Sequence, residues 1–555
     1  MKSKPFETIS LLCLLLLFLT GDSLGQLITQ PQARRVGLTR KWTSQATMTS
    51  SESTLQQILL KGDTLFSITD TGQLQAYNAE TGATLWMVQV GKRDLLTLQM
   101  DASKNYVATI NGSTIYVYNR FNGKLLWNGD VDIVPSAGPV VSDSRVYIPG
   151  INGRVQSFAL RLITDSLKEF GKDEKTLTPE EREQLEVERR DSLRIDDQYV
   201  EPLNCQSIGR IFMQPVISRA DEKENIDNIV WATDRGDLNL GSIRTNSPDK
   251  FAIKFFVKTG KNISSRPAVI EYNRDKAEET GLIYLASRDG YVYCVREMNG
   301  DQLWEYPCNE PIIENLAAVS WDVPAEKNKK KTLRRIYVFT YQRGMFTLDA
   351  ITGEKLWQTP GIKRFLAQTT TRIYTVDYRN NLTVLDMNSG QVLGSFPLGS
   401  NTVQYLNETT DRIYLATDTG MIQCLNQMDI EKPIYFRDNP NPPKEETRNL
   451  MGDSEEGQEG NEEDSEGGES GEDVFNELPG TDDGDDAGGD FGGDDFGGDD
   501  AGGDDAEAGD DFGGDDFGGD DAGAAGTEDE GGAAPADAGE ADPFGGAGDE
   551  EDPFL

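Results

Sequence analysis

The chain has 555 residues, with 53 lysines and arginines against 95 aspartates and glutamates, and no histidine. Without histidine there is no Ser-His-Asp or Cys-His nucleophile pair, no imidazole base and no histidine-ligated zinc or iron. Residues 451–555 hold 40 of the acids and no lysine or arginine, which leaves residues 1–450 at a net −2 out of the whole-chain −42. A near-neutral body, ample for one large core or two ordinary ones, therefore carries an acidic tail.

Residues 1–25 read as a secretory signal. Lys2 and Lys4 precede an apolar run from Ile9 to Leu19, and Ser23 and Gly25 sit three and one before a cut ahead of Gln26. The run is short for a bilayer span, and no other stretch reaches 18 apolar residues, so the mature chain is expected to be exported without a membrane span. Cys13 lies inside the run, not at its end behind small residues, which argues against acylation. Four cysteines remain, Cys205, Cys294, Cys308 and Cys424.

After a linker at 26–37, the body repeats. The segment TRKWTSQATM (39–48) is strand-like and carries Trp42. Eight units follow at 62–86, 105–127, 144–160, 229–243, 281–304, 334–357, 372–396 and 412–428. Each alternates as a β-strand, turns tightly at Gly or Asn, and alternates again; most continue through a second Gly turn into an aromatic-bearing strand. The first turns fall at Gly72, Gly112, Gly153, Gly236, Gly290, Gly344 and Gly420, with Asn381 standing in once; both residue types tolerate positive φ. Pro139-Val140-Val141, Pro215-Val216-Ile217 and Pro267-Ala268-Val269 mark a further strand ahead of three units. Four short strands per period of roughly 40–45 residues predict an all-β, eight-bladed β-propeller over 38–430. The eighth unit lacks its aromatic strand, so the Trp42 segment is expected to complete it and seal the ring. In this arrangement Cys294 and Cys424 take equivalent buried strand positions as packed thiols, while Cys205 and Cys308 stay open between free and paired.

The segments from Gln73 to Trp86 and from Gly344 to Trp357 match D-G-x-(V/L)-x-A-L-D-x-x-T-G-x-x-L-W, and the chain resembles the pyrroloquinoline-quinone-like (PQQ-like) propeller repeat family over residues 38–430. The resemblance implies that Trp86, Trp127, Trp304, Trp357 and Trp42 dock each blade on the next, with Phe396 and Phe255 or Phe256 as substitutes. It also raises two functional classes. Quinoprotein dehydrogenases of the family use PQQ, a vicinal disulfide, a calcium ion held by Glu and Asn, and a catalytic Asp. This chain has no adjacent cysteine pair and lacks long catalytic elaborations between blades, so neither a catalytic residue nor a bound cofactor is expected. The better match is the non-catalytic branch, which includes a bacterial outer-membrane-assembly propeller lipoprotein that acts by binding partners. The chain departs from it in lacking a lipobox, in its insertion and in its tail.

The extra residues fall in a pattern. A charged insertion at 161–200 interrupts the C–D connection of blade three. Thr178-Pro179-Glu180-Glu181 is a helix-start signal, and a helical hairpin is predicted. Longer A–B loops follow at 219–228, 271–280 and 321–335. Alternating strand direction puts all four on one face, together with the entering and departing chain ends. Within it, Trp321 beside Lys327, Lys329, Lys330, Lys331, Arg334 and Arg335 is the most interaction-like cluster. Nucleic acid is a poor partner for a neutral, exported body with a phosphate-repelling tail.

Residues 431–450 read as a Pro-rich linker. Beyond it, the composition of 451–555 predicts disorder, with Phe491, Phe496, Phe512 and Phe517 recurring amid carboxylates. Charge density alone points to weak, multivalent calcium binding at Asp494, Asp495, Asp499 and Asp500, although the spacing fits no EF-hand loop. The whole reads as a monomeric, exported scaffold of the periplasm or cell envelope, or secreted, that binds protein partners. A PQQ- and calcium-dependent dehydrogenase or an envelope-polymer (carbohydrate) binder are the alternatives.

Overall fold

The computed structural model describes residues 28–437, apart from 163–177, 196–201, 222–225, 245–249, 271–280, 325–329 and 400–401. The expected signal, the segment 438–450 and the acidic tail, with Asp494, Asp495, Asp499 and Asp500, lie outside the described residues.

Eight four-stranded antiparallel sheets make a propeller. In seven, the strands A to D are consecutive in the chain; in blade one, for example, they are Leu55–Lys61, Thr64–Thr69, Gln73–Asn78 and Thr84–Gln89. The eighth takes A, B and C from Thr402–Gln404, Ile413–Thr417 and Met421–Gln427, and its D strand from Leu38–Gln45. Trp42 lies opposite Cys424 and Ser44 opposite Ile422, so the N-terminal strand supplies the outer strand of blade eight and closes the ring by pairing the start of the chain with its end.

The B strands are almost wholly buried because both their faces meet neighbouring sheets, whereas the D strands alternate. The B–C turns take positive φ at the seven expected glycines, from Gly72 to Gly420. In blade seven the left-handed residue is Asn380, at φ 59°, rather than Asn381, which instead begins strand C.

Two further features are local. The expected linker 26–37 contains a short helix, Gln30–Arg35, started by Thr29, whose backbone N–H donates to Gln32 Oε1 at 2.9 Å. In the insertion, one helix is described, Pro179–Asp191, rather than both arms of a hairpin; a first arm would fall on 163–177, outside the described residues. Its start is the predicted capping box, with Glu181 N donating to Thr178 Oγ1 at 3.2 Å and Thr178 N donating to Glu181 Oε2 at 2.9 Å.

Candidate partner-binding face

The seams between blades account for most of the aromatic residues. In seven blades the ladder between strands C and D slips by one residue just before the Trp position, a β-bulge that leaves Leu85, Leu303 and Leu356 outside while the next ring turns inward. Trp42, Trp86, Trp304 and Trp357 then lie over the C–D turn glycines of the following blade, Gly82, Gly123, Gly353 and Gly390. All four glycines have positive φ, and a Cβ on any of them would fall within 2.2–2.6 Å of the indole. Each indole Nε1 donates to a carbonyl of that blade: Ala79 at 2.9 Å, Arg120 at 2.9 Å, Ala350 at 3.2 Å and Met387 at 3.1 Å respectively. Buried Tyr414 and Tyr284 donate to two of the same carbonyls, Ala79 and Ala350.

Where the next C–D turn is not regular, the seam changes. Trp127 meets blade three, whose C–D connection is the insertion, and packs on Phe158 with ring centroids 5.3 Å apart. Phe255 takes the docking position against Gly300, whereas Phe256 is exposed. In blade seven the register gives the Trp position to Gly394, with Val36 of the N-terminal segment against it; Phe396 lies two residues further on, in the core.

The four thiols are all buried and unpaired. Burial pushes Cys205 up to about 11, and Cys294 and Cys308 each to about 12. None is therefore a thiolate nucleophile near neutral pH. Among the described residues no group of three or more Cys, Asp or Glu side chains is placed to hold a metal ion. No helix among them is long and apolar enough to cross a membrane.

Of the expected elaborations, the insertion helix Pro179–Asp191 lies between strands C and D of blade three and the hairpin end at Pro324 and Lys330 between strands A and B of blade six, while 271–280 lies outside the described residues. The insertion is anchored at the end of its helix. Asn119 Nδ2 donates to Arg190 O at 2.7 Å, Asn122 Nδ2 donates to Asp191 Oδ1 at 3.1 Å, and the Arg190 guanidinium lies 4.8 Å from the Phe121 ring centre. Leu193 and Ile195 then re-enter the core, where Ile195 bridges to Leu162.

The 321–335 segment differs from expectation. It is a continued β-hairpin, paired as far as Pro324 with Lys330. Trp321 is 5% exposed and belongs to the core cluster shared by blades six and seven, so it is not a surface contact. A residue on strand A alternates between the two sheet faces, and here the alternation turns the indole inward. Arg335 is engaged within the fold: its guanidinium lies 5.3 Å from the Trp321 ring centre, and its Nη1 donates to Met387 O at 2.5 Å. Arg334 is half-buried and Lys331 exposed, while Lys327 and Lys329 lie outside the described residues.

Charge concentrates elsewhere, at the closing seam. Arg412, with its side chain fully buried, donates from Nε and Nη2 to Glu80 at 3.1 and 3.2 Å, from Nη1 to Asp411 at 3.2 Å, and from Nη2 to Glu431 O at 2.7 Å. Lys41 also pairs with Glu80. Burial holds Asp411 up, at about 6, although Arg412 opposes the shift. From this seam residues 428–437 run back over the face as a strap. Asp411 N donates to Ile434 O at 3.1 Å, and Ile434 N donates to Asp411 Oδ1 at 2.9 Å. Phe436 N donates to Thr409 O at 2.7 Å, and Phe436 packs against the Trp321 cluster. Arg437 Nη2 donates to Ala318 O in blade six at 2.5 Å, and its Nη1 lies 3.7 Å from Glu408.

Nothing in the sequence singles out Glu408 or Arg437. For Arg412 one signal exists: Arg-Ile-Tyr or Arg-Val-Tyr recurs at Arg145, Arg335, Arg372 and Arg412, each time immediately ahead of the buried stretch of strand B.

The fold is a closed eight-bladed propeller of four-stranded antiparallel blades. The model of the family described as outer membrane protein assembly factor BamB matches residues 38–165 and 253–419, together more than half of the chain. The chain belongs to that family. Among solved structures, BamB from Moraxella catarrhalis is 15% identical, with a TM-score of 0.45, covering 70% of this chain and 97% of its own. The computationally designed Ika8 protein is 11% identical, with a TM-score of 0.43, covering 68% of this chain and 97% of its own. No curated protein matches the sequence.

Proposed function

We propose that the protein is an exported, non-catalytic propeller that binds protein partners of outer-membrane assembly through the face bearing the insertion helix, the blade-six hairpin and the strap. The observation that carries this reading is the fixing of the insertion. A charged helix of 13 residues is held at its last turn by Asn119, Phe121 and Asn122, so the insertion is fixed to the propeller and not merely tethered to it. Family membership supports the partner class. The mature chain acts as a monomer in the periplasm or cell envelope, without cofactor, metal or catalytic residue.

The test is complementation. Loss of the gene from its source organism is expected to lower the amount of folded outer-membrane protein. The intact chain should restore it, and a chain with 165–192 replaced by a short turn should not. Full restoration by the shortened chain, with normal levels of both proteins, would overturn the assignment of the face.

A second reading has one observation in its favour. On the opposite face, Tyr341 is 71% exposed and meets Tyr378 edge-on at 5.1 Å, with exposed Phe212 on the same side. Exposed rings at a propeller mouth suit sugar faces. Retention of the protein on an insoluble envelope polysaccharide, lost in Tyr341→Ala, would favour it; equal retention of the two would remove it.

A further inference from the structure

The strap covers something better buried than itself. Phe436 packs against the apolar cluster that includes the buried Trp321, Ala317, Val319 and Phe365, and Arg437 faces the carboxylate of Glu408, which desolvation holds above the usual range against the pull of that arginine. Every residue of the strap from Pro433 to Arg437 is only half-buried. From Pro433 onward its hold consists of four bonds at Asp411 and Thr409, one of them to the Asp411 carboxylate, one ring against an apolar cluster, and one guanidinium; just upstream, Glu431 O accepts from Arg412 and Lys41. Segments with few buried apolar contacts and exposed backbone bonds open at well below the free energy of global unfolding.

We propose that the seat of Ile434–Arg437, between the A–B connection of blade eight and strand A of blade six, is a docking site for an extended partner segment carrying an aromatic residue followed by a cation. The chain's own strap occupies it in this structure and yields to that segment. The proposal deepens the partner-binding reading and rests on it.

The chemistry of the occupant follows from the seat. Thr409 O accepts from Phe436 N and Arg437 N, at 2.7 and 3.3 Å, and Asp411 both donates to and accepts from Ile434, which calls for an extended backbone. The apolar cluster of blades six and seven calls for a large ring beside that backbone. Glu408 Oε1 accepts from Ala318 N at 2.5 Å, and Glu408 faces Arg437. Emptied of the guanidinium, this half-buried carboxylate would lose its nearest cation and keep only the Ala318 N–H and the pull of Arg266, so an incoming cation is favoured there. An acidic or aliphatic segment meets neither requirement.

The test uses the full chain and, as probe, a fluorescent peptide with the sequence of residues 432–440, added in trans. Phe436→Ala/Arg437→Ala frees the seat and is expected to bind the peptide at least tenfold more tightly than the unaltered chain. Adding Glu408→Gln should remove most of that gain, and a peptide with alanines in place of Phe and Arg should not bind. In the unaltered chain, excess peptide should speed hydrogen exchange at the amides of Ile434 and Phe436. Should the double variant fold poorly, Arg437→Gln alone serves, with the same ordering expected. No binding by a variant that melts cooperatively, or strap amides as protected as those of strand B and indifferent to peptide, would overturn the proposal. If complementation still depends on 165–192 in that event, the face survives and only the seat is lost.

Discussion

Removing the Trp357 ring tests whether the seams hold the propeller together. The indole is buried and sits on Gly390, and its Nε1 donates to Met387 O at 3.1 Å. A tryptophan buries about 150–250 Å². At about 25 cal/mol per Å² that is about 4–6 kcal/mol, an upper figure because the unfolded chain already shelters part of the ring. Trp357→Ala also leaves a void over a glycine that has no side chain to fill it, and the expected loss is about 3–5 kcal/mol in urea unfolding followed by far-UV circular dichroism. Trp357→Phe keeps most of the apolar contact and loses the hydrogen bond, for about 1–2 kcal/mol. Trp127→Ala is the internal control: that ring is half-buried and meets no turn glycine, so it should cost clearly less. A loss below about 1 kcal/mol for Trp357→Ala, or equal losses at Trp357 and Trp127, would refute the account of the seam.

Other outcomes follow from the same geometry. Arg412→Ala leaves the buried Asp411 without its counter-charge and Glu80 with Lys41 alone, and a loss of about 3–5 kcal/mol in urea unfolding is expected. Asp411 titrates near 6 in the folded chain and near 3.8 when exposed, so the folded state holds its proton more tightly. Its contribution to stability is complete below pH 3.8 and disappears as pH rises through 6. Asp411→Asn should remove that part of the pH slope, read from urea midpoints between about pH 4 and 7; an unchanged or steeper slope in the variant would contradict the burial argument. Added PQQ and calcium should not be retained by the purified chain after gel filtration, and a quinone absorbance that co-elutes would revive the dehydrogenase alternative.

Several features were legible because they are local. Strand alternation, turn residues with access to positive φ and the Leu-Trp dipeptide each act over a few residues and recur, so the regular copies at 62–86 and 334–357 make sense of weaker ones such as 144–160 and 412–428. The closing strand was legible for a related reason, since a ring with a missing outer strand and a spare strand at the other end of the chain has one economical solution.

What escaped the sequence depends on residues far apart in the chain. Trp321 amid lysines and arginines looks like a surface contact until strand pairing turns it into the seam of blades six and seven. Phe396 reads as the substitute for a docking tryptophan in blade seven, and only the folded chain gives that position to Gly394 and brings Val36, more than 350 positions earlier, against it. The strap at 428–437 has the composition of a linker, because its partners, Asp411, Thr409 and Ala318, are supplied by two blades.

By itself, then, the sequence determined the number of blades and the closure of the ring, since periodicity and a spare strand at the start of the chain are enough for both. Tertiary structure alone decided which charged and aromatic side chains are surface and which are seam. Burial is set by what the neighbouring blade places opposite a residue, and that neighbour is chosen by packing rather than by position along the chain.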